Sequence, residues 1–293
     1  MKYTDLNDAD CSIAQALGVV GDWWTLLLIR DIAGGITRFD ALQRQLGVSR
    51  KTLTDRLGLL VEHGVLERRP YTQHPPRFEY HLTASGHGLL PVLIALQDWG
   101  SRFVMGDGTL TATSTPTSSE AARVHALVGR KVPELQLIST SGEQTDPVAH
   151  SPWSVIFCFP GAYPPGTDGY PPGWSDIPGT TGCTLETLTY RERTPEFVSR
   201  GARVHGVSTQ RPDQLAAFGT HADLPYSLLS DEELELAASL RLPTFRAAGV
   251  ERLKRLTLIV DQQRTIRATL YPITDPASSV NEALTLIDSL PAA

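Results

Sequence analysis

A low-complexity stretch divides the chain into two parts of different character. From Gly106 to about Glu120 the sequence is GDGTLTATSTPTSSE, which is rich in Gly, Ser and Thr and has no apolar period. Such a stretch buries too little surface to offset the entropy lost when it becomes ordered. A length of 293 residues also favours two domains. We therefore expect a first domain at residues 1–105, a linker at 106–125 and a second domain at 126–293.

The composition excludes several classes of protein. Apolar residues make up 41% and charged residues 20%, so the chain is not disordered throughout. No apolar run approaches the ~18 residues of a membrane span, and the polar N-terminus shows no secretory signal. Three cysteines are too few for a disulfide scaffold, and none lies in a metal-binding spacing. We expect a soluble, cytoplasmic protein without metal, cofactor or membrane partner.

The net charge of −6 is distributed unevenly along the chain. Residues 1–105 hold 11 basic and 11 acidic residues, so the second part carries the whole excess of negative charge. Within the first part, residues 38–77 hold eight basic residues against four acidic ones. This local basic excess permits binding to DNA.

The first domain begins with a pattern of successive helices. Cys11–Val19 and Trp23–Ile32 have apolar residues at helical spacing, and the second is apolar nearly all round, which predicts a buried central helix. A third helix ends at Gly47, and Ser49 is a good N-cap for the next one. Helix, tight turn and a second helix with one polar face form the helix-turn-helix pattern. That polar face carries Arg50, Lys51, Thr52, Thr54, Asp55 and Arg56.

A hairpin and a last helix are expected after this motif. Val65–Arg69 and Arg77–Leu82 predict two strands around a proline-containing tip, which makes a wing. Thr83 is the expected cap of the last helix, which has more apolar surface than a small domain can bury internally. Such an excess is typical of a dimer interface. Its apolar residues are Leu89, Leu90, Leu93, Leu96 and Trp99.

Residues 11–100 resemble the HxlR family of winged-helix transcription regulators. This resemblance implies a homodimer that binds a near-palindromic operator in double-stranded DNA. It also matches Cys11 to an N-terminal cysteine that senses oxidants or electrophiles in several members. The matching motifs are Cys11-Ser12-Ile13-Ala14, Trp24-Thr25-Leu26-Leu27-Leu28-Ile29-Arg30, Arg38-Phe39, Leu53-Thr54-Asp55-Arg56-Leu57, Gly64-Val65-Leu66-Glu67-Arg68, Pro75-Pro76-Arg77-Phe78-Glu79-Tyr80 and Leu82-Thr83.

The positions of the polar residues suggest individual roles in DNA binding. Arg50 and Lys51 in the first turn of the recognition helix, and Thr54 one turn later, are placed to reach base edges. Arg56 and Arg77 are expected to contact phosphates, which position the duplex without reading its sequence. The alternative is that these are solvated surface charges. The predicted DNA-binding residues are Ser49, Arg50, Lys51, Thr54, Arg56 and Arg77.

The second domain alternates short strands with helices. Trp153–Pro160 is a nearly continuous apolar run that predicts a buried strand, and a Pro- and Gly-rich loop follows it. Cys183 opens a helix that extends to about Arg200, and a later helix is expected at Asp231–Leu240. This order suits a thioredoxin-like α/β fold. The expected fold class is thus multidomain, with an α+β winged helix-turn-helix domain before an α/β domain.

Cys183 is the residue with the clearest chemical potential. The thiolate is the reactive form of cysteine, and a position in the first turn of a helix lowers the pKa of the thiol. A nearby arginine would lower this pKa further. Thr180, three residues earlier, is expected to place its hydroxyl close to the sulfur.

Residues 126–291 resemble the peroxiredoxin family, in particular its AhpC/TSA and bacterioferritin-comigratory-like members. The family pattern P-x-x-x-T-x-x-C is matched by Pro160 and by the segment Thr180-Thr181-Gly182-Cys183-Thr184. By this resemblance Cys183 is the peroxidatic cysteine, Arg255 is the catalytic arginine, and Glu186 matches a position after the cysteine. Hydrogen peroxide or an organic hydroperoxide is then the expected substrate. The further matches are Tyr190-Arg191-Glu192, Gly206-Val207-Ser208-Thr209, Leu224-Pro225-Tyr226-Ser227-Leu228-Leu229-Ser230-Asp231 and Arg255-Leu256-Thr257-Leu258-Ile259-Val260-Asp261.

Two features depart from the family pattern. Pro160 and Cys183 are 23 positions apart instead of seven, so 16 extra residues lie between them. Leu188 occupies the position, five after Cys183, at which some members carry a resolving cysteine. Cys11 and Cys158 remain as candidate redox partners, beside an external thiol reductant or Cys183 of another subunit. The alternative for Cys158 is a small core residue, and the alternative for Cys11 is a packed helix residue.

The two resemblances together predict a redox-responsive transcription regulator. In this hypothesis oxidation of Cys183 modulates operator binding by the winged helix. The first alternative is a thiol peroxidase with an appended winged helix. A second alternative is a constitutive repressor whose C-terminal domain binds a small ligand.

Overall fold

The chain forms two compact units in a computed structural model that describes residues 11–167 and 169–291. The first unit ends at Leu93 and the second begins at Ile94. The sequence predicts a first domain that extends to residue 105. The boundary falls earlier because the second half of the helix Leu90–Trp99 bonds within the second unit, where the Gln97 amide donates to the Leu242 carbonyl at 2.9 Å.

The helices of the first unit surround one apolar core, as their residue spacing predicts. They are α1 (Ser12–Val20), α2 (Trp23–Ala33), α3 (Phe39–Leu46) and α4 (Arg50–Glu62). Helix α2 is central, but it is less enclosed than expected, since Trp23 is 61% exposed. The most deeply buried side chains are Leu28, Ile29, Leu42, Leu53, Leu57 and Leu60.

The turn between α3 and α4 has the predicted geometry. Gly47 ends α3 with a φ of +66°, a conformation that glycine adopts without steric cost. The Ser49 hydroxyl accepts the backbone N–H of Thr52 at 3.1 Å and so caps α4. Helices α3 and α4 with this turn therefore form a helix-turn-helix.

A two-stranded wing follows the helix-turn-helix. Strand β1 (Leu66–Gln73) pairs antiparallel with β2 (Pro76–Leu82), and an additional bridge joins Arg38 to Glu79. Thr83 is an N-cap as predicted, but the helix that it caps is the short α5 (Ala84–His87).

The last helix of this region, α6 (Leu90–Trp99), is a separate element. It continues as a turn of π-helix, Gly100–Val104. Leu90 is buried, whereas a run of later apolar side chains lies at least half exposed to solvent. This run consists of Leu96, Trp99, Phe103, Val104 and Met105.

The segment 106–125, expected to be a linker, is packed into the second unit. Ala112 is fully buried, and its N–H donates to the Pro178 carbonyl at 2.8 Å. Helix α7 (Ser119–His125) is capped by Ser118 and buries Val124. Hydroxyl side chains satisfy backbone groups locally, so a few small apolar residues are enough to hold the segment in place.

The strands of the second unit are β3 (Leu137–Ser139), β4 (Gln144–Thr145), β5 (Trp153–Cys158), β6 (Ala202–Ser208), β7 (Leu228–Ser230), β8 (Thr244–Ala247), β9 (Val250–Leu253), β10 (Leu256–Asp261) and β11 (Ile266–Leu270). Seven of them form a mixed sheet of order β11-β10-β5-β6-β7-β3-β4. Strands β5, β6 and β7 are parallel to one another, whereas β10 pairs antiparallel with both β5 and β11. Strands β8 and β9 form a separate hairpin.

Four helices complete this unit, which has the expected thioredoxin-like fold. They are α8 (Cys183–Ser199), α9 (Pro212–His221), α10 (Glu235–Leu240) and α11 (Ser278–Ser289). Helix α8 packs against β6 and α11.

The expected helix start at Asp231 is wrong, because α10 begins four residues later at Glu235. Leu234, with a φ of +59°, separates Asp231 from the helix. The Asp231 carboxylate accepts the N–H groups of Leu236 and Ala237, each at 2.9 Å. Burial raises the pKa of Asp231 to about 7, although these backbone donors oppose the shift. Asp231 thus lies before the helix and accepts backbone N–H groups of its first turn.

The packing of the segment 106–125 can be tested at Gly179. This residue has a φ of +88°, and a Cβ placed on it would lie 2.8 Å from the Thr113 Cβ. Gly179→Ala should therefore lower the free energy of unfolding by the left-handed strain of about 1–2 kcal/mol and by an overpacking cost of about 1–3 kcal/mol. Urea denaturation measures both.

Gly142→Ala is the matched control for this substitution. Gly142 has a φ of +83°, but a Cβ there would meet no atom within 4 Å. It should show the backbone strain alone. Equal losses in the two variants would contradict close packing of Thr113 on this loop.

Candidate functional site

Cys183 is placed at the start of α8 by a turn that requires glycine. Gly182 has a φ of +96°, and a Cβ on it would lie 2.7 Å from Cγ of Pro276. Both the backbone conformation and the close approach exclude other residues. The turn brings Cys183 into the first helical turn as predicted, with 2% of its surface exposed.

Arg255 lies against this cysteine from the start of β10. Its Nη2 donates to the Cys183 Sγ at 3.4 Å and to the Thr181 carbonyl at 2.9 Å. Its Nη1 forms an ion pair with Glu186, which lies one helical turn after the cysteine. Arg255 is 2% exposed and Glu186 is fully buried. One guanidinium thus bridges the sulfur and the carboxylate.

Pro160 and Thr180 also lie at this site. Pro160 is buried directly after β5, and the backbone N–H of the next residue, Gly161, hydrogen-bonds to the Cys183 sulfur. The Thr180 carbonyl accepts from the Cys183 thiol at 3.5 Å.

The Thr180 hydroxyl hydrogen-bonds to carbonyl groups of the loop before Cys183, and its predicted closeness to the sulfur stays a prediction. This hydroxyl donates to the Trp174 carbonyl at 2.6 Å and lies 2.8 Å from the Ile177 carbonyl. These carbonyls belong to the loop between β5 and α8, and the sequence pattern does not reveal that they accept the Thr180 hydroxyl. The Thr180 hydroxyl therefore helps to fix the fold of this loop.

The expected lowering of the Cys183 pKa is wrong. Burial raises the pKa of this thiol, and the charge of Glu186 raises it further. Arg255 and the Gly161 N–H lower the pKa, but they do not overcome the loss of hydration. Cys183 is thus mainly a thiol at neutral pH, held beside a cation that favours its thiolate.

The charge on Arg255 is shared between two partners. Burial raises the pKa of Glu186 to about 7 even though Arg255 lowers it. Burial lowers the pKa of Arg255, but Glu186 and Cys183 outweigh this effect and raise it. Protonation of Glu186 would leave more of the arginine's charge for the sulfur.

The 16 extra residues between Pro160 and Cys183 bring aromatic rings to the site. The rings of Tyr163 and Tyr170 lie 4.8 Å apart, and those of Tyr170 and Trp174 lie 5.6 Å apart. Burial raises the pKa of Tyr170, and the charge of Cys183 adds to this effect. The sequence indicated the length of this loop but not that Tyr170 lies near enough to the cysteine to be affected by its charge.

Cys158 and Cys11 have different surroundings from Cys183. Successive side chains of a strand face opposite sides of a sheet, and Phe157 and Phe159 share a buried cluster with Cys183. Cys158 therefore faces the other side, where burial raises its pKa well above the ordinary value. Its environment is that of a core residue. Cys11 is the partly exposed N-cap residue of α1 in the first unit.

The predicted base-contacting residues lie on the exposed face of α4. Lys51 and Thr54 are exposed. Arg50 lies 3.4 Å from the Asp40 carboxylate and its guanidinium lies 4.9 Å from the Phe39 ring centroid. Arg50 and Asp40 are 70% and 73% exposed, and ion pairs this exposed contribute little to stability. Arg50 can therefore exchange Asp40 for a base or a phosphate.

The two predicted phosphate contacts differ from each other. Arg77 is exposed near the tip of the wing. Arg56 donates to the Asp22 carboxylate at 3.0 Å, and Asp22 also caps α2 through the Trp24 N–H at 3.0 Å. Arg56 therefore ties α4 to the start of α2.

Two further basic residues of the wing lie on its first strand, where the sequence pattern alone assigned no individual role. Arg68 and Arg69 are exposed on β1, and Arg68 lies 4.9 Å from the Phe78 ring centroid. Their place on the strand just before the tip would have been enough to select them. With Arg77, they give the wing a basic surface.

Two features are not found in the described part of the chain. No group of three or more His, Cys, Asp or Glu side chains there is arranged to hold a metal ion. No single helix among these residues has the length and hydropathy of a membrane span. Helices α1 and α2 have that length and hydropathy only when they are taken together, and the pair is bent by 73°.

Comparison with known proteins assigns the two parts of the chain. Residues 19–107 match the HxlR-like helix-turn-helix model, and residues 177–269 match the AhpC/TSA family model. An uncharacterized HTH-type transcriptional regulator of Synechocystis is 41% identical over 92 residues, which are 31% of this chain and 68% of that protein. The chain belongs to the HxlR-like helix-turn-helix family. Its HxlR-like domain is joined to a C-terminal AhpC/TSA domain.

Other relatives of the HxlR-like domain have similar identity. An uncharacterized HTH-type transcriptional regulator of Mycobacterium bovis is 43% identical over 93 residues, or 32% of this chain. The match spans 59% of that regulator's length. An uncharacterized HTH-type transcriptional regulator of Bacillus subtilis is 32% identical over 104 residues, which are 35% of this chain and 81% of that protein.

Solved structures similar to part of the chain are peroxiredoxins. Peroxidoxin BcpB of Mycobacterium tuberculosis has 22% identity and a TM-score of 0.47, covering 56% of this chain and 97% of that one. The bacterioferritin comigratory protein of Xanthomonas campestris has 23% identity and a TM-score of 0.42, covering 53% of this chain and 90% of that one.

The raised pKa of Cys183 predicts how its alkylation depends on pH. The rate with iodoacetamide, followed at this residue by peptide mass spectrometry, should rise about tenfold per pH unit from pH 6 and still rise at about pH 9. Glu186→Gln should react several-fold faster than the parent above pH 7 and equally fast below pH 6, because Glu186 has a pKa of about 7 and is neutral there.

Glu196→Gln is the control, since Glu196 lies on the same helix but is 44% exposed. A parent profile that levels off near neutral pH would contradict the raised pKa of Cys183.

The two arginines predicted to contact phosphates should respond differently to substitution. Arg77→Ala should weaken binding to a generic DNA duplex, reduce the slope of log affinity against log salt by about 1, and leave stability unchanged. Arg56→Ala should lower the free energy of unfolding by up to about 1 kcal/mol, because the contact with Asp22 is lost. Fluorescence anisotropy and thermal denaturation measure the two effects, and a change in salt slope for Arg56→Ala alone would contradict this assignment.

Proposed function

We propose that this chain is a transcription regulator whose operator binding changes when Cys183 is oxidised. The N-terminal winged helix binds a near-palindromic operator as part of a homodimer. Hydrogen peroxide or an organic hydroperoxide oxidises Cys183 in the C-terminal domain. A thiol reductant returns the cysteine to its resting state.

The contact between the Arg255 guanidinium and the Cys183 sulfur carries this proposal. A neutral side chain could fill this position with a smaller loss of hydration than a buried cation. Packing alone therefore does not explain an arginine that lies 3.4 Å from the sulfur. It does favour the thiolate and it offers N–H donors to an oxygen that approaches the sulfur. The same chain carries an exposed recognition helix with Arg50 and Lys51.

The proposed reaction transfers one oxygen atom to the cysteine. The Cys183 thiolate attacks one oxygen of the peroxide, a sulfur–oxygen bond forms, and the oxygen–oxygen bond breaks. The leaving oxygen takes up a proton and departs as water or an alcohol. The sulfur is oxidised to a sulfenic acid and the peroxide is reduced. Arg255 favours the step because its donors stabilise both the thiolate and the charge that develops on the leaving oxygen.

The surroundings of Cys183 favour a sensor over a rapid peroxidase. The thiol is 2% exposed and burial raises its pKa, so only a small fraction is thiolate at neutral pH. Leu188 occupies the position at which a resolving cysteine would convert the sulfenic acid to a disulfide. A single slow oxidation is enough to switch a regulator, whereas an enzyme must repeat it.

A thiol peroxidase is the second candidate function, favoured by the same contact between Arg255 and Cys183. It requires an external thiol for every turnover. Rapid peroxide consumption over many turnovers with a small thiol would support it.

The proposal that the protein is a homodimer is supported by exposed apolar side chains. Trp99, Phe103 and Met105 are 54%, 53% and 61% exposed after the start of α6. Large apolar residues grouped in this way are typical of subunit interfaces. A dimer presents two recognition helices, as a near-palindromic operator requires.

The proposed function is tested by operator binding in two redox states. A duplex selected from a random pool with the reduced protein serves as the probe. Treatment with one equivalent of hydrogen peroxide should change the dissociation constant at least fivefold, a typical size for coupling between two sites. Cys183→Ser should bind this duplex equally before and after treatment.

Cys11→Ser and Cys158→Ser are the matched controls, and both should keep the response. If the parent's affinity does not change although mass spectrometry shows oxidised Cys183, the proposed regulation is wrong. A response that disappears only in Cys11→Ser would place the sensor in the first unit.

A further inference from the structure

We propose that residues 109–118, here called the strap, carry the oxidation state of Cys183 toward the DNA-binding unit. This proposal rests on the proposed function and adds the segment through which oxidation of Cys183 would affect DNA binding. The strap follows the exposed turn Gly100–Val104, which continues helix α6. That helix begins before the unit boundary at Leu93 and ends after it. Residues 105–108 join the strap to this turn, and so to helix α6.

The strap is fixed to the loop that leads directly into Cys183. The Ala112 N–H donates to the Pro178 carbonyl at 2.8 Å, and the Thr111 hydroxyl approaches the same oxygen at 3.3 Å. Gly179 packs so closely on Thr113 that a Cβ there would clash. Only four residues separate Pro178 from Cys183.

A small apolar cluster joins the strap to the same loop. Ala112 and Leu110 of the strap pack with Trp174 and Ile177 of the loop and with Phe245 of β8. The carbonyls of Trp174 and Ile177 are the groups that the Thr180 hydroxyl contacts. The Thr180 hydroxyl thus holds the part of the loop to which the strap is attached.

A buried ion pair forms a second attachment, next in sequence to the arginine of the site. The Lys254 ammonium donates to the Thr113 carbonyl at 3.3 Å and to Oε1 of Glu120 at 3.0 Å. The Tyr271 hydroxyl donates to the same carboxylate oxygen. Lys254, Glu120 and Tyr271 are 7%, 6% and 5% exposed. Lys254 is thus a positioning residue for the strap, whereas Arg255, the next residue, contacts Cys183.

The strap borders a cavity over much of its length. A cavity of about 610 Å³ lies along it, lined by strap residues from Thr109 to Ser118 and by Lys254 and Phe245. An element that borders a cavity this large loses few packing contacts when it moves. The strap therefore depends on its attachments to the loop and to Lys254, and it is able to take a second position when one attachment fails.

Oxidation of Cys183 would disturb the first attachment. Peroxide adds one oxygen atom to the sulfur, and the other oxygen leaves as water or an alcohol after taking up a proton. The sulfur is fully enclosed, between the Thr180 carbonyl at 3.5 Å and the Arg255 guanidinium at 3.4 Å. Well-packed interiors do not accept extra atoms without displacement. The loop at Thr180 must move, and Pro178 takes the strap with it.

Hydrogen exchange of the full-length protein without DNA tests the strap directly. In the reduced protein the peptide covering residues 109–118 should be protected, and after oxidation by one equivalent of hydrogen peroxide it should exchange at least tenfold faster. The peptide of β10 is the internal control and should not change. Unchanged protection of residues 109–118 in a sample with fully oxidised Cys183 would contradict the proposed role of the strap, whether or not the affinity for DNA changes.

Operator binding by Lys254→Met tests whether the strap transmits the signal. This variant should show a ratio of oxidised to reduced dissociation constants below twofold, while its Cys183 still becomes oxidised. Lys254→Arg should restore the parent's ratio. Lys131→Met, which removes an exposed lysine of the same unit, should keep it.

Tyr271→Phe provides the test if Lys254→Met does not fold, since it removes only one hydroxyl from the cluster. A parent ratio of at least fivefold that persists in Lys254→Met or Tyr271→Phe would show that the signal takes another route. A parent ratio of one contradicts the proposed function itself, while the exchange experiment still decides whether the strap responds to oxidation.

Discussion

The buried guanidinium of Arg255 is the interaction on which the C-terminal site depends. It binds the Glu186 carboxylate, the Thr181 carbonyl and the Cys183 sulfur at once, and thereby joins β10, the first turn of α8 and the residues just before it. A buried ion pair of this kind rarely adds stability compared with apolar residues of the same volume. Its presence is better explained by the chemistry of the sulfur than by folding.

The competition for this one positive charge explains the properties of the site. Burial opposes ionisation of both Cys183 and Glu186, and the arginine offsets this effect only in part. The thiol remains largely protonated at rest, so the proposed reaction with peroxide would be slow until the site opens or Glu186 takes up a proton. A slow, enclosed thiol responds to a sustained oxidant and not to brief exposure, which suits regulation better than detoxification.

Local patterns in the sequence predicted much of the fold. The Gly47 turn, the Ser49 cap and the helix start at Cys183 each depend on a few neighbouring residues, and all three are confirmed. The residue types of the site were also predicted, and the structure brings Cys183 and Arg255 together.

The errors arose where the answer depends on distant parts of the chain. The direction of the Cys183 pKa shift is set by burial, which no local pattern reveals. Local patterns likewise do not reveal the hydrogen bonds of the Thr180 hydroxyl to carbonyls of the long loop, or that of Arg56 to Asp22, which lies 34 positions away. The composition of residues 106–125 concealed the few contacts, such as that of Ala112 with Pro178, which order this segment.

The account connects one sulfur atom with the affinity for DNA, and a graded titration tests this connection most directly. Full-length protein is treated with increasing substoichiometric amounts of peroxide, and each sample is divided between mass spectrometry of Cys183 and operator binding. The fraction of protein with altered affinity should equal the fraction of Cys183 oxidised at every step and should be independent of Cys11. Constant affinity across samples in which Cys183 passes from fully reduced to fully oxidised would contradict the account.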